Sequence, residues 1–180
     1  MGNDSIDLGL GNVWRSWFEF RKGKRMSGEM QEFQYHLEEN LHSLFLDLNS
    51  GNYRHGPYRQ FIVSDNKRRE ISVSYVRDRV VHRLFYDYLV PIWDKTFIYD
   101  AWSCRKGKGL LAAIERTQQF LKSYPRAYVW RADIRKFFDT VNHDILLKIL
   151  TRRTKDPRAM HLAKTAIKSF TTGSEFVGGG

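Results

Sequence analysis

Apolar and polar positions follow two periods along the chain, and the switches between them mark its elements. Over 28–49, Phe33, Leu37, Leu41, Leu44, Phe45 and Leu48 recur every three or four residues and predict one helix with those side chains inward. Ser27 stands where its hydroxyl can cap the start, and Gly51 where the chain can leave. The same period predicts a helix over about 77–89, with Val80, Val81, Leu84, Phe85, Tyr88 and Leu89 buried and Pro91 closing it. Another follows over about 109–122, with Leu110, Ile114, Thr117 and Leu121 on its inner face. Two more are predicted at 142–151, with Asn142 as cap, and from 156, where Asp156 caps and Pro157 takes the first helical position.

Between the first two helices the period drops to two. The runs 59–63 and 70–76, parted by Asp65, Asn66 and a basic cluster, predict a hairpin with Lys67, Arg68 and Arg69 near its bend. A later run, "AYVWRADI" at 127–134, predicts a strand with Tyr128, Trp130, Ala132 and Ile134 on one face. Ala127, Val129, Arg131 and Asp133 fall on the other. Residues 1–12 read as a loose arm, and the aromatic stretch 13–20 as packed against something. Helices, a hairpin and a short sheet together predict an α+β fold.

Composition narrows this picture. Apolar residues make up 42% of the 180 and aromatics 14%, too rich for a disordered chain. The net charge of +10 favours a polyanionic partner, most plausibly nucleic acid, and it is unevenly placed. Residues 1–53 hold 5 Lys and Arg against 8 Asp and Glu, residues 54–108 hold 12 against 6, and residues 109–180 hold 13 against 6. The basic surface therefore belongs to the middle and C-terminal parts. A single cysteine, Cys104, excludes an intramolecular disulfide and fits a reducing compartment. The polar, acidic N-terminus is unlike a leader peptide, and no stretch approaches the roughly 18 apolar residues of a membrane span. A cytoplasmic protein with no membrane partner is expected.

The candidate chemistry lies in three places. Asp133, at a strand end, can hold a divalent cation if other oxygens converge on it. The same residue also reads as an ordinary acid neutralised by Arg131 or Arg135. Phe137 and Phe138 read as core or as a pocket wall, and Asp139 as a turn or capping acid. Lys67, Arg68 and Arg69 can clamp a triphosphate or simply solvate a bend. "CRKGKG" at 104–109 can approach a phosphodiester backbone, although it lacks the spacing of a nucleotide P-loop. The six histidines are scattered, and no zinc site or nucleophile–base pair is expected.

Read in order, "KRREISVSYVRDRVVHRLFYDYLVPIWDKTFIYDAWSCRKGKG", a helix, and "WRADIRKFFDTVNHDILLKIL" resemble the fingers and early palm of bacterial reverse transcriptases. The similarity covers about 53–150 and is to the group II intron, diversity-generating-retroelement and phage-defence types. It implies an RNA-directed DNA polymerase acting on an RNA template, a DNA primer and dNTPs, with two Mg²⁺ ions. It implies that Asp133 is the first catalytic carboxylate and that the Ile134 carbonyl approaches a metal. Phe138 becomes the steric gate under the deoxyribose, Lys67 and Arg69 the grip on the triphosphate, and Arg105, Lys106 and Lys108 a loop near template and primer. It divides the chain into a helical lead-in at 1–52, fingers at 53–125 and partial palm at 126–180.

The family's later Pro-Gln-Gly-like motif and Tyr/Phe-x-Asp-Asp turn are absent, and no Asp-Asp pair occurs. A right-hand polymerase truncated before that turn and the thumb, inactive by itself, is therefore expected. The alternatives are a fingers-derived nucleic-acid-binding module that has lost catalysis and a defence-type relative that polymerises without a template. Whether an accessory protein binds is left open.

Overall fold

The structure, a computed structural model, describes residues 5–64 and 68–170. Leu10–Arg21 forms helix α1. Its Val13, Trp17 and Phe20 fall three and four apart and are buried, as the aromatic density of that stretch requires. The expected helix over 28–49 is two helices, α2 (Gly28–Tyr35) and α3 (Leu37–Ser50), broken at His36. The Asn40 amide donates to the Phe33 carbonyl at 3.0 Å, so a carbonyl near the break still has a partner. Ser27 caps α2 by accepting from the Met30 N–H, and Gly51 ends α3 in the left-handed region at φ 74°.

The hairpin pairs β1 (Tyr58–Ser64) with β2 (Arg68–Ser74), antiparallel, with Phe61 opposite Ile71. Helix α4 (Val76–Trp93) follows and runs through Pro91 instead of closing there. Proline removes one N–H from the ladder, but the next turn re-forms, with the Asp94 N–H donating to the Val90 carbonyl. A 3₁₀ turn at Asp94–Thr96 leads to a long loop and then to α5 (Leu110–Ser123), α6 (Phe137–Thr140), α7 (His143–Thr151) and α8 (Pro157–Ser169). The α+β class is as expected, with a sheet of two strands.

The core lies between α1, α3, α4 and the start of α8. Trp17, Leu41, Leu44, Val80, Leu84 and Ala163 are all but sealed from solvent there. Full burial of each larger apolar side chain contributes roughly 1.5–3 kcal/mol. The N-terminal arm is not loose over its described part. Ile6 and Leu8 are buried, and Asp156 accepts from the Ile6 N–H at 2.7 Å and the Ser5 hydroxyl at 3.0 Å. The same carboxylate caps α8 through the Arg158 and Ala159 N–H groups. Burial works to raise the Asp156 pKa, but these hydrogen bonds outweigh it and hold the group below its ordinary value.

Buried polar residues fix the base of the hairpin. Asp78, on α4, accepts from the Tyr53 hydroxyl at 2.8 Å and the Gly56 N–H at 3.1 Å. A Cβ at Gly56 would lie 3.0 Å from the Asp78 carboxylate, so a larger residue there would press on the group that accepts the Gly56 N–H. His55 Nδ1 donates to the Gly56 carbonyl at 2.6 Å, and its Nε2 lies within hydrogen-bond reach of His82 Nε2 at 3.1 Å. Burial, and next the neighbouring His55, lower the His82 pKa. Glu29, on α2, accepts from the Val76 N–H and from Arg59 and Arg79, tying α2, β1 and α4 together.

Candidate nucleic-acid interface

The hairpin carries the first candidates. In its register Val63 faces Arg69, Phe61 faces Ile71 and Arg59 faces Val73, so these six share one face of the ribbon. Arg69 and Phe61 are exposed, Phe61 by 50%, which puts a guanidinium and an aromatic ring on one accessible surface. Arg68 is exposed on the opposite face, opposite Ser64. Lys67, the turn residues Asp65 and Asn66, and the side chain of Asp139 lie outside the described residues.

The loop before α5 holds the second set, and its three cations differ. Arg105 donates to Asp94 at 2.7 Å and to the carbonyls of Ile98, Ala101 and Asp94 at 3.0 Å each. Its guanidinium thereby staples the loop closed, and its hydrogen bond holds Asp94 below the usual carboxylate range. Lys108 donates to the Tyr99 carbonyl and sits 3.7 Å and 4.4 Å from the centres of the Tyr99 and Trp102 rings. Lys106 is exposed. Arg116 pairs with Asp100 at 3.0 Å and continues the staple onto α5.

The segment with Asp133 departs from expectation. Residues 127–134 form no strand, and both of the expected faces are open: Tyr128, Val129, Trp130 and Ile134 are all exposed. A strand requires a ladder partner, and the sheet of the described residues has only β1 and β2. The inner face assigned to α5 is uncovered for the same kind of reason: Leu110, Ile114 and Leu121 are exposed, and no described residue of that helix is buried. Asp133, Ile134 and Phe138 are exposed neighbours in one stretch of chain, with Phe138 in an edge contact with Phe137 at 5.3 Å between centroids. Phe137 is half exposed rather than core.

Among the described residues no three His, Cys, Asp or Glu side chains converge to hold a metal. The residues present offer Asp133 and the Ile134 carbonyl, which do not make up the ligand set of a two-ion centre. Arg68 and Arg69 of the hairpin, Lys106 of the stapled loop and the Asp133 segment are each exposed. No helix of the described residues is long and apolar enough to cross a membrane.

Sequence reasoning passed over the turn "TRRTKD" at 151–156. There Thr154 and Asp156 are buried while Arg152, Arg153 and Lys155 are exposed. The signal was the alternation of charged residues with small polar ones beside a helix cap.

No family model matches the chain. It is 30% identical to Protein YkfC of Escherichia coli over 141 residues, covering 76% of this chain and 37% of that protein. It is 27% identical over 124 residues to the Putative COX1/OXI3 intron 2 protein of Saccharomyces cerevisiae, covering 68% of this chain and 14% of that protein. The Putative COX1/OXI3 intron 1 protein of the same yeast is 27% identical over 118 residues, 64% of this chain and 14% of that protein. The chain thus spans between about a seventh and somewhat over a third of the length of the curated relatives it matches.

Proposed function

We propose that the chain carries the fingers and early palm of an RNA-directed DNA polymerase that adds dNTPs to a primer on an RNA template. The observation that carries this reading is the ordered set of motifs over 53–150: hairpin arginines, basic loop, then Asp133 and Phe138 five residues apart. Two features of the fold agree with it. Arg69 and Phe61 share an exposed face of a ribbon whose base is held on α4 by buried polar contacts, which suits a cation that must meet a phosphate at a fixed place. The Asp133 segment is open, so its carboxylate is accessible. The yeast relatives are by name intron proteins, which is in keeping with the intron branch of the resemblance.

In this reading Arg69, with Lys67, grips the triphosphate, Phe138 packs under the sugar, and Asp133 serves as a Mg²⁺ ligand in the complete centre. The polypeptide encoded by the complete open reading frame should extend a DNA primer on an RNA template with Mg²⁺ and dNTPs. Absence of extension, with template binding intact, would overturn the polymerase reading. It would favour a second one, a nucleic-acid-binding module without catalysis.

A further inference from the structure

A cleft of about 520 Å³ opens where the N-terminal arm, α1, the end of α4 and the α7–α8 turn meet. Its volume falls within the roughly 300–1,000 Å³ of ligand sites. Five cations line it: Arg15 from α1, Lys95 from the 3₁₀ turn, and Arg152, Arg153 and Lys155 from the α7–α8 turn. Two acids line it as well, and both are engaged. Asp87 is paired with Arg83 at 2.8 Å, and Asp7 accepts from the Gly9 N–H at 2.8 Å. Among the described residues none of the five cations has a carboxylate partner; Arg15 donates to the Asn12 side chain and Lys155 to the Thr151 carbonyl.

The three cations of the turn are held from behind. Thr154 is buried, and its hydroxyl oxygen accepts from the Trp93 indole at 3.4 Å. Asp156 is buried on Ser5, Ile6 and the start of α8. With 154 and 156 fixed inward, 152, 153 and 155 are left on the solvent side of a backbone tied at two points. Such pre-organisation lowers the ordering cost of binding. Five cations against two acids in one concavity leave an excess positive potential that a bound anion relieves. Two adjacent guanidinium groups match phosphate oxygens, and Leu84, Pro91 and Ile92 add an apolar wall.

We propose that this cleft is a phosphate-binding site, separate from the hairpin and from Asp133, that takes the phosphodiester backbone of an RNA strand. The inference stands without the polymerase reading, because it concerns binding and not synthesis. The test is fluorescence anisotropy with a labelled single-stranded 20-nucleotide RNA over a salt series, comparing the parent with Arg152→Gln/Arg153→Gln. Thr154 and Asp156 are kept, and an unchanged melting temperature verifies the fold. Lys95→Gln, on a different element, is the second variant.

The double variant should bind about tenfold more weakly at low salt, and its log–log salt slope should be shallower by about 1.4, two contacts' worth on a single strand. Lys95→Gln should lower the slope by about 0.7. Competition by ATP or inorganic phosphate that is lost in the double variant would assign the same phosphate chemistry to a free ligand as well. Unchanged affinity and slope in both variants would overturn the proposal. So would sensitivity of poly-glutamate binding, but not of RNA binding, to the substitutions. An Arg69→Ala variant reports the hairpin independently, so failure at the cleft is distinguishable from failure there.

Discussion

At the scale of single residues, Asp156 joins distant parts of the chain most directly. Its carboxylate caps α8 and takes the N–H of Ile6 and the hydroxyl of Ser5, which fastens the N-terminal arm to the far end of the sequence. Asp156→Ala removes a cap and leaves the buried Ile6 N–H without its partner, at a cost of about 2–3 kcal/mol in denaturant unfolding. Its pKa in the folded state is depressed from 3.8, so the unfolded chain binds the proton more tightly. The contribution is therefore complete above the ordinary value and is lost as pH falls through the depressed one. The parent should lose stability in that acid window more steeply than Asp156→Ala; parallel pH curves would contradict the assignment. The cap itself was legible from Asp156-Pro157 in sequence, because capping is local. The tie to Ser5 and Ile6 was not, because nothing local announces a partner 150 residues away.

At the scale of elements, what could be read was whatever a segment determines by itself. The hairpin, α3, α7 and α8 follow from period, cap and turn chemistry. The exceptions needed information from elsewhere: α4 continues past Pro91 because the next turn re-forms, and 28–49 breaks at His36 with Asn40 taking up the Phe33 carbonyl. The run 127–134 has the alternation of a strand but no partner to pair with among the described residues. Amides from Tyr128 to Ile134 in the 180-residue chain should consequently exchange within about tenfold of an unstructured peptide, while those of Val80, Val81 and Leu84 are strongly protected. Protection of 127–134 to the level of α4 would refute the unpaired assignment. The hairpin's own role is tested by Arg69→Ala. Loss of one phosphate contact should weaken single-stranded RNA binding alike across sequences and reduce the log–log salt slope by about 0.7. An unchanged slope would remove Arg69 from the interface.

At the scale of the whole molecule, the chain combines a well-buried helical core with surfaces that its own described residues leave open. The aromatic stretch 13–20, expected from its sequence to pack against something, contributes Val13, Trp17 and Phe20 to that core. Exposed basic residues lie on the hairpin, at Lys106, around Asp133 and on the α7–α8 turn, while Arg105 and Lys108 are engaged within their loop. Charge counting along the chain could not separate cations that hold the fold from cations left for a partner, since that depends on where each guanidinium finds a carboxylate. The same holds for Asp133: its position in "WRADIRKFF" singles it out, and the described residues leave it exposed and without a converging ligand set. In the proposed reading this carboxylate serves catalysis and not folding or binding. The direct measurement is primer extension on RNA by the polypeptide of the complete open reading frame, parent against Asp133→Asn, with RNA affinity measured on the same samples. Extension should fall at least about 100-fold while RNA affinity stays within about twofold. Undiminished extension by Asp133→Asn would contradict it.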